Sequence, residues 1–292
     1  MSMNNTLAEI ADLVRETNPL VHCITNYVTV NDCANALLAV GASPVMADDR
    51  AEVAEITSIA QALLLNIGTL NRRTIASMKR ATKTANTNGI PVILDPVGAG
   101  ASKLRTRTAQ SLVRIARPAL IRGNASEIAA LHAGSGNTRG VDAAEADQGD
   151  DAFSRTLATA KALAVESGAV VAVTGSTDII TDGKRVLTIR NGHPILSRIT
   201  GSGCMLSCLC AAFCAADPKR ILEASTAAVA AMGLCGERAA AGTAGAGTAV
   251  TETAVTGTAL AGTATFRTAL IDRLSRITGS ELAQGVLCEE SA

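Results

Sequence analysis

The sequence has no tryptophan, a single tyrosine and three phenylalanines in 292 residues. Aromatic filling of the interior is thereby excluded. A core has to close through alanine, valine and leucine on closely approaching backbones. Net charge is also lacking, since 26 basic residues balance 26 acidic ones. A protein that docks on nucleic acid or an anionic membrane carries a basic excess, so those partners are set aside. The opening MSMNNTLAEIADLVRE has no basic segment ahead of an apolar core, so no signal peptide is expected. Glu223, Glu237 and Arg238 break up the apolar stretch 204–240, which argues against a membrane span. No Walker A loop occurs anywhere. A soluble, cytoplasmic protein is the expectation.

Hydrophobic residues make up 48% of the chain, ample for a core. Of the eight cysteines, most lie in apolar helical runs rather than loops. Cys204, Cys208, Cys210 and Cys214 form no CxxC pair, and on one helix they cannot all face one metal. They read as small core residues.

Along the chain, strand-like and helix-like segments alternate. Residues 6–17 place Leu7, Ile10, Leu13 and Val14 on one helical face. LVHCITNYV (20–28) then reads as a strand entering a turn at Thr25-Asn26, and 32–40 as a helix ended by Gly41. Short strands follow at 42–46, 62–67, 90–94, 119–122 and 169–175, with helices at 50–60, 71–88, 105–116, 125–131 and 152–167 between them. Residues 178–190 read as a hairpin about Asp182-Gly183. The Gly- and Asp-rich stretch 134–151 reads as a loop. Met205 to Ala216 has neither charge nor helix breaker, so a buried helix is expected there. The Ala/Thr/Gly tract 239–265 reads as a loop, because glycine every few residues weakens a helix. A terminal helix then aligns Phe266, Leu270 and Leu274. Repeated strand–helix units imply an α/β fold, a central mostly parallel sheet with helices on both faces, in a single domain over 1–292. Ligands of such sheets lie off the carboxyl ends of the strands, where Asn66, Asp95, Arg122 and Thr174 stand.

Chemistry concentrates near those ends. Thr200-Gly201-Ser202-Gly203-Cys204 precedes the buried helix, and glycines at a helix start turn N–H donors toward an anion such as phosphate. Cys204 on the first turn would have its thiol pKa lowered by the helix field. The competing reading is a glycine turn beside a small buried cysteine. Asn124 and Glu127 could join Asp95 around a hydrated Mg²⁺, or form a capping box. Arg122 is a phosphate partner in one reading and a surface ion-pair residue in the other. Gly98-Ala99-Gly100 lacks the third glycine of a dinucleotide fingerprint. A cysteine hydrolase would need a histidine base, yet His193 beside Pro194 reads as exposed on a turn.

Together, Asn124–Glu127 after a strand, Val173-Thr174-Gly175, and Gly201–Cys204 opening a buried helix form the ribokinase-like layout. Within it, TNYVTVNDCANALLAVGASPVM (25–46), LLLNIGTLN (63–71), PVILDPVGAGAS (91–102), RGNASEI (122–128) and SRITGSGCML (197–206) closely resemble the hydroxyethylthiazole kinase family. The resemblance implies ATP- and Mg²⁺-dependent phosphorylation of the hydroxyl of 4-methyl-5-(2-hydroxyethyl)thiazole, a thiamine salvage step. By matched position it assigns Met46, Asn26 and Gly68 to the thiazole, and Arg122 and Thr174 to ATP. Asp95 and Glu127 go to the metal and its water. Gly201, Ser202, Gly203 and Cys204 form the anion hole, with Gly201 also beside the substrate and Cys204 catalytic. It further implies a homotrimer with sites between subunits. Related kinases carry Asp where Cys204 stands, and a nearby phosphate would raise the thiol pKa. The family's Gly-Pro-Gly-Ser-Phe turn is replaced by Gly262-Thr263-Ala264-Thr265-Phe266. Remaining alternatives are a kinase for another small alcohol such as hydroxymethylpyrimidine, a nucleotide-hydrate repair lyase, and a non-catalytic thiazole-binding relative.

Overall fold

A computed structural model describes residues 2–133, 150–243 and 262–291. Its strands are β1 (Leu20–Ile24), β2 (Ser43–Val45), β3 (Ala62–Asn66), β4 (Val92–Asp95), β5 (Leu120–Asn124), β6 (Val170–Thr174), β7 (Asp178–Thr181), β8 (Val186–Ile189) and β9 (Cys288–Ser291). They form one sheet in the order β2-β1-β3-β4-β5-β6-β7-β8-β9. Pairing is parallel from β2 through β6 and antiparallel from β6 through β9.

The helices are α1 (Met3–Thr17), α2 (Val30–Ala39), α3 (Val53–Ile59), α4 (Arg72–Asn88), α5 (Lys103–Ala116), α6 (Ala125–His132), α7 (Asp150–Ser167), α8 (Ser202–Ala216), α9 (Ile221–Thr243), α10 (Thr263–Arg276) and α11 (Gly279–Gly285). Their starts follow local chemistry. Ser2, Asn71 and Ser102 cap α1, α4 and α5 through side-chain oxygens, which satisfies N–H groups that have no partner within the helix.

Both faces of the parallel strands are covered, and strand parity decides which side chain meets which layer. Leu64, Ile93 and Leu120 face one core, shared with α1, α2, α8, α9 and α10. Leu63, Leu65, Leu94 and Ile121 face the other, shared with α4 to α7. The same parity directs Asn66, Asp95, Arg122 and Thr174 toward the α8 side. From Met205 to Cys214 every residue of α8 is buried, as the uncharged run required. Cys208, Cys210 and Cys214 are small core residues, and all eight cysteines are free thiols.

The structure departs from the sequence reading at the C-terminal part. α9 runs on through Thr243, and α10 begins at Thr263, so both ends of the Ala/Thr/Gly tract are helical. Ala239 is buried and Ala240 partly buried, whereas 241–242 and 263–265 are exposed, so packing supports only the first residues of the tract. The middle of the expected loop, 244–261, lies outside the described residues, as does most of the expected loop at 134–151. Phe266, Leu270 and Leu274 are buried as aligned. Their helix is not terminal, however, for α11 and the edge strand β9 follow it.

One glycine is required by close approach. A Cβ on Gly233 of α9 would stand 2.6 Å from the Asn191 carbonyl oxygen, on the turn after β8. Gly233→Ala should therefore cost about 1–3 kcal/mol through backbone displacement. Urea unfolding tests this, and a midpoint equal to that of the parent would show that the turn yields freely.

Candidate active site

β3 and β4 pair in register at their last residues, which sets Asn66 beside Asp95. β5 and β6 likewise align Asn124 with Thr174. Asp95 is fully buried beneath α8. Its Oδ2 accepts hydrogen bonds from Asn66 Nδ2 and Ser207 Oγ, each at 2.8 Å, and lies 3.9 Å from Arg122 Nη1. Its Oδ1 has no partner among the described residues. Burial pushes the Asp95 pKa up to about 7, with the Arg122 charge opposing and the Glu127 charge reinforcing that rise.

Asn66 carries the network onward. Its amide also donates to Cys204 Sγ at 3.2 Å, and its Oδ1 accepts from Asn26 Nδ2 at 3.2 Å. Asn26 Nδ2 donates to Cys204 Sγ as well, also at 3.2 Å. Asp95, Asn66, Cys204 and Asn26 thus form one connected set drawn from β4, β3, α8 and the turn after β1. The Cys204 pKa is raised rather than lowered: burial is the largest cause and the Asp95 charge adds to it. The helix-field expectation is corrected on this point, because desolvation of a thiolate outweighs the field of the helix terminus. Gly68 belongs to the same corner. Its N–H donates to Asn66 Oδ1 at 2.9 Å, and a Cβ there would meet Asn26 Cβ at 2.9 Å. Met46 is half-buried just past β2 and packs against the α8-side core.

On the other side of Asp95, Arg122 is buried and donates from Nη2 to Thr174 Oγ1 at 2.6 Å. Its Nε has no partner among the described residues. α8 starts one turn earlier than Met205, at Ser202, with Gly201 in the left-handed region at φ 84°. A Cβ on Gly201 would collide with Thr29 Cγ2, and one on Gly203 would lie 2.6 Å from Arg122 Nη1. Each glycine therefore lets the helix start approach its neighbours, and Gly201 also needs the positive φ. Arg122, Thr174, Ser202 and Gly203 open onto a cleft of about 550 Å³. Asp178 and His193 also line it. Burial raises the Asp178 pKa to about 6.

Asn124 and Glu127 form the capping box that their spacing allowed. Glu127 Oε2 accepts from the Asn124 N–H at 2.9 Å, and Oε1 from the Gly98 N–H at 2.8 Å. Among the described residues no three His, Cys, Asp or Glu side chains converge as a metal cage. A magnesium ion that keeps several waters needs only one or two carboxylates; the Asp95 Oδ1 has the chemistry for it, but it is fully enclosed in this arrangement. Sequence reasoning missed Ser207. Its signal was a hydroxyl one turn beyond Cys204 on an otherwise apolar helix. Asn66 was placed at a strand end but given no role.

Comparison with known proteins bears on the family and the fold. The model of the "Hydroxyethylthiazole kinase family" matches residues 11–280. A hydroxyethylthiazole kinase of Clostridium acetobutylicum is 55% identical over 80% of this chain and 86% of its own. One from Methanocella arvoryzae is 46% identical over 96% of this chain and 97% of its own. The solved hydroxyethylthiazole kinase protein of Pyrococcus horikoshii superposes with TM-score 0.82 at 35% identity, covering 98% of this chain and 99% of that one. A ribokinase-like superfamily protein from Enterococcus faecalis, 13% identical with TM-score 0.59, shares the fold.

The Asp95 pKa has a consequence for stability. The native state holds that proton to about pH 7, whereas the unfolded chain releases it near pH ~3.9. Between those values the native state binds more protons, so raising pH destabilises it, by on the order of 4 kcal/mol in all. Asp95→Asn should remove most of the loss in ligand-free protein. Melting temperatures at pH 5 and 7.5 decide it; an equal fall in parent and variant would show that Asp95 titrates normally. Matched over most of its length by the family model and by these relatives, the chain belongs to the hydroxyethylthiazole kinase family.

Proposed function

We propose that this protein transfers the γ-phosphate of ATP to the hydroxyl of 4-methyl-5-(2-hydroxyethyl)thiazole, a thiamine salvage step. The observation that carries the reading is the buried Asp95. One of its oxygens is unpartnered, with Arg122 and the start of α8 on one side and Cys204, Asn66 and Asn26 on the other. A polyanion and a small alcohol can meet between these groups.

Arg122, Thr174 and the N–H groups at Ser202 and Gly203 hold the phosphates, where the α8 dipole adds positive potential. Asp95, and Glu127 through water, would hold Mg²⁺, which would supply positive charge against the phosphates. Asn26, Met46, Gly68 and Gly201 border the thiazole. Cys204 Sγ is fixed by two amide donors and keeps its proton at neutral pH, so it positions the substrate hydroxyl rather than acting as a strong base. Phosphoryl transfer tolerates this, because positioning and charge stabilisation supply most of the rate. Membership of the family favours a homotrimer with Gly68 facing a neighbour's substrate. Among the described residues no helix is long and apolar enough to cross a membrane. We place the protein in the cytoplasm, where ATP is supplied.

The test is product formation from ATP, Mg²⁺ and the thiazole, read by phosphorus NMR. A thiazole phosphate matched by ADP is expected; turnover only with hydroxymethylpyrimidine would move the proposal to that alcohol. Binding of both ligands without turnover would favour the non-catalytic alternative. Cys204→Ala should lower kcat about 10²-fold, the low end of general-base contributions. A loss of about 10⁵-fold would make the thiol indispensable and sink the positioning role. Arg122→Ala should chiefly raise KM for ATP, and unchanged ATP kinetics would remove Arg122 from the site.

A further inference from the structure

The large cleft has two unlike ends. Arg122, Thr174, Ser202 and Gly203 supply charge and donors at one end. Pro194, Leu196, Leu206, Val229 and Met232 add apolar surface of the kind on which a purine face rests, beside the polar Ser176, Asp178, Arg190 and Ser197. Asn191 and His193 are two further polar side chains of its lining.

Asn191 is fully committed elsewhere. It is buried, its Nδ2 donates to Gly285 O at 3.0 Å and to Glu237, and its Oδ1 accepts from the Leu287 N–H at 2.7 Å. His193 is not. It caps the short 3-10 turn Pro194–Arg198, and its Nδ1 accepts the Ile195 N–H at 3.2 Å. A backbone N–H can only donate, so Nδ1 carries a lone pair and the ring proton sits on Nε2. That Nε2–H lies across the ring from the cap and has no partner among the described residues. One nitrogen thus fixes the ring, and the other remains a donor on a side chain that lines the cleft.

We propose that His193 reads the base of the bound nucleotide, its Nε2–H donating to a ring nitrogen of the purine. The proposal rests on the kinase reading, which makes this cleft the nucleotide site. The decisive variant is His193→Asn, since asparagine is a strong cap and keeps an acceptor for the Ile195 N–H but is too short to replace Nε2. Equilibrium binding of ATP and of inorganic tripolyphosphate, which lacks a base, would be measured for parent and variant.

The expected result is ATP binding weakened about tenfold with tripolyphosphate binding unchanged, as for one lost hydrogen bond. KM for ATP should rise alike, at constant kcat and constant KM for the thiazole. Equal weakening of both ligands would place His193 at the phosphates and overturn the proposal. So would ATP binding that does not change. His193→Ala, which removes cap and donor together, separates the two roles. If the Asn variant binds ATP like the parent and only the Ala variant is weakened, the cap alone matters and the proposal fails. A parent protein that binds neither ligand would overturn the nucleotide assignment of the cleft, and with it the kinase reading.

Discussion

A carboxylate with no access to water is the constraint around which this molecule is arranged. Asp95 ends β4 fully buried beneath α8, whose turns over it are apolar except for Ser207. Ser207 and Asn66 bind one oxygen, and Arg122 stands just beyond hydrogen-bond distance. Such a group is costly at neutral pH, and folds tolerate that cost where the charge does chemistry. The half-satisfied carboxylate and the Arg122 Nε, which has no partner among the described residues, together describe a site built to receive further charge. The residues that confine Asp95 also align Cys204, through the shared amide of Asn66.

Much of this arrangement could be read in the residues. Continuous apolar runs such as Ala62–Asn66 announce strands buried on both faces, and the alternation with helices implies the parallel sheet. Strand-end placement marked Asp95, Arg122 and Thr174, and helix-start glycines marked Ser202 and Gly203. What escaped has a physical reason in each case. β9 is the polar sequence Cys288-Glu289-Glu290-Ser291, and only pairing with β8 makes it a strand. Ser207 would ordinarily bond its own helix backbone, and nothing local says that its hydroxyl turns to Asp95 instead. The Cys204 pKa depends on how deeply α8 sinks against β3 and β4, a property of packing rather than of spacing.

The C-terminal part acts as a brace. Arg190 pairs with Glu289, and Asn191 ties α11 and β9 to Glu237 of α9. The wall of the cleft that carries His193 thus derives its rigidity from residues nearly a hundred positions later in the chain. Its geometry is a product of the completed sheet edge, whereas Asp95 and Asn66 are set by the register of adjacent strands.

The scarcity of aromatics gives one loop an unusual property. Tyr27 is the only tyrosine, and there is no tryptophan. It follows Asn26 directly, 78% exposed, with its backbone N–H donating to Thr69 beside Gly68. All tyrosine fluorescence of the chain, and its tyrosine dichroism in the near ultraviolet, therefore originate within one residue of the Cys204 network. The protein carries an intrinsic optical label on the rim of its own site, silent about the remainder of the fold.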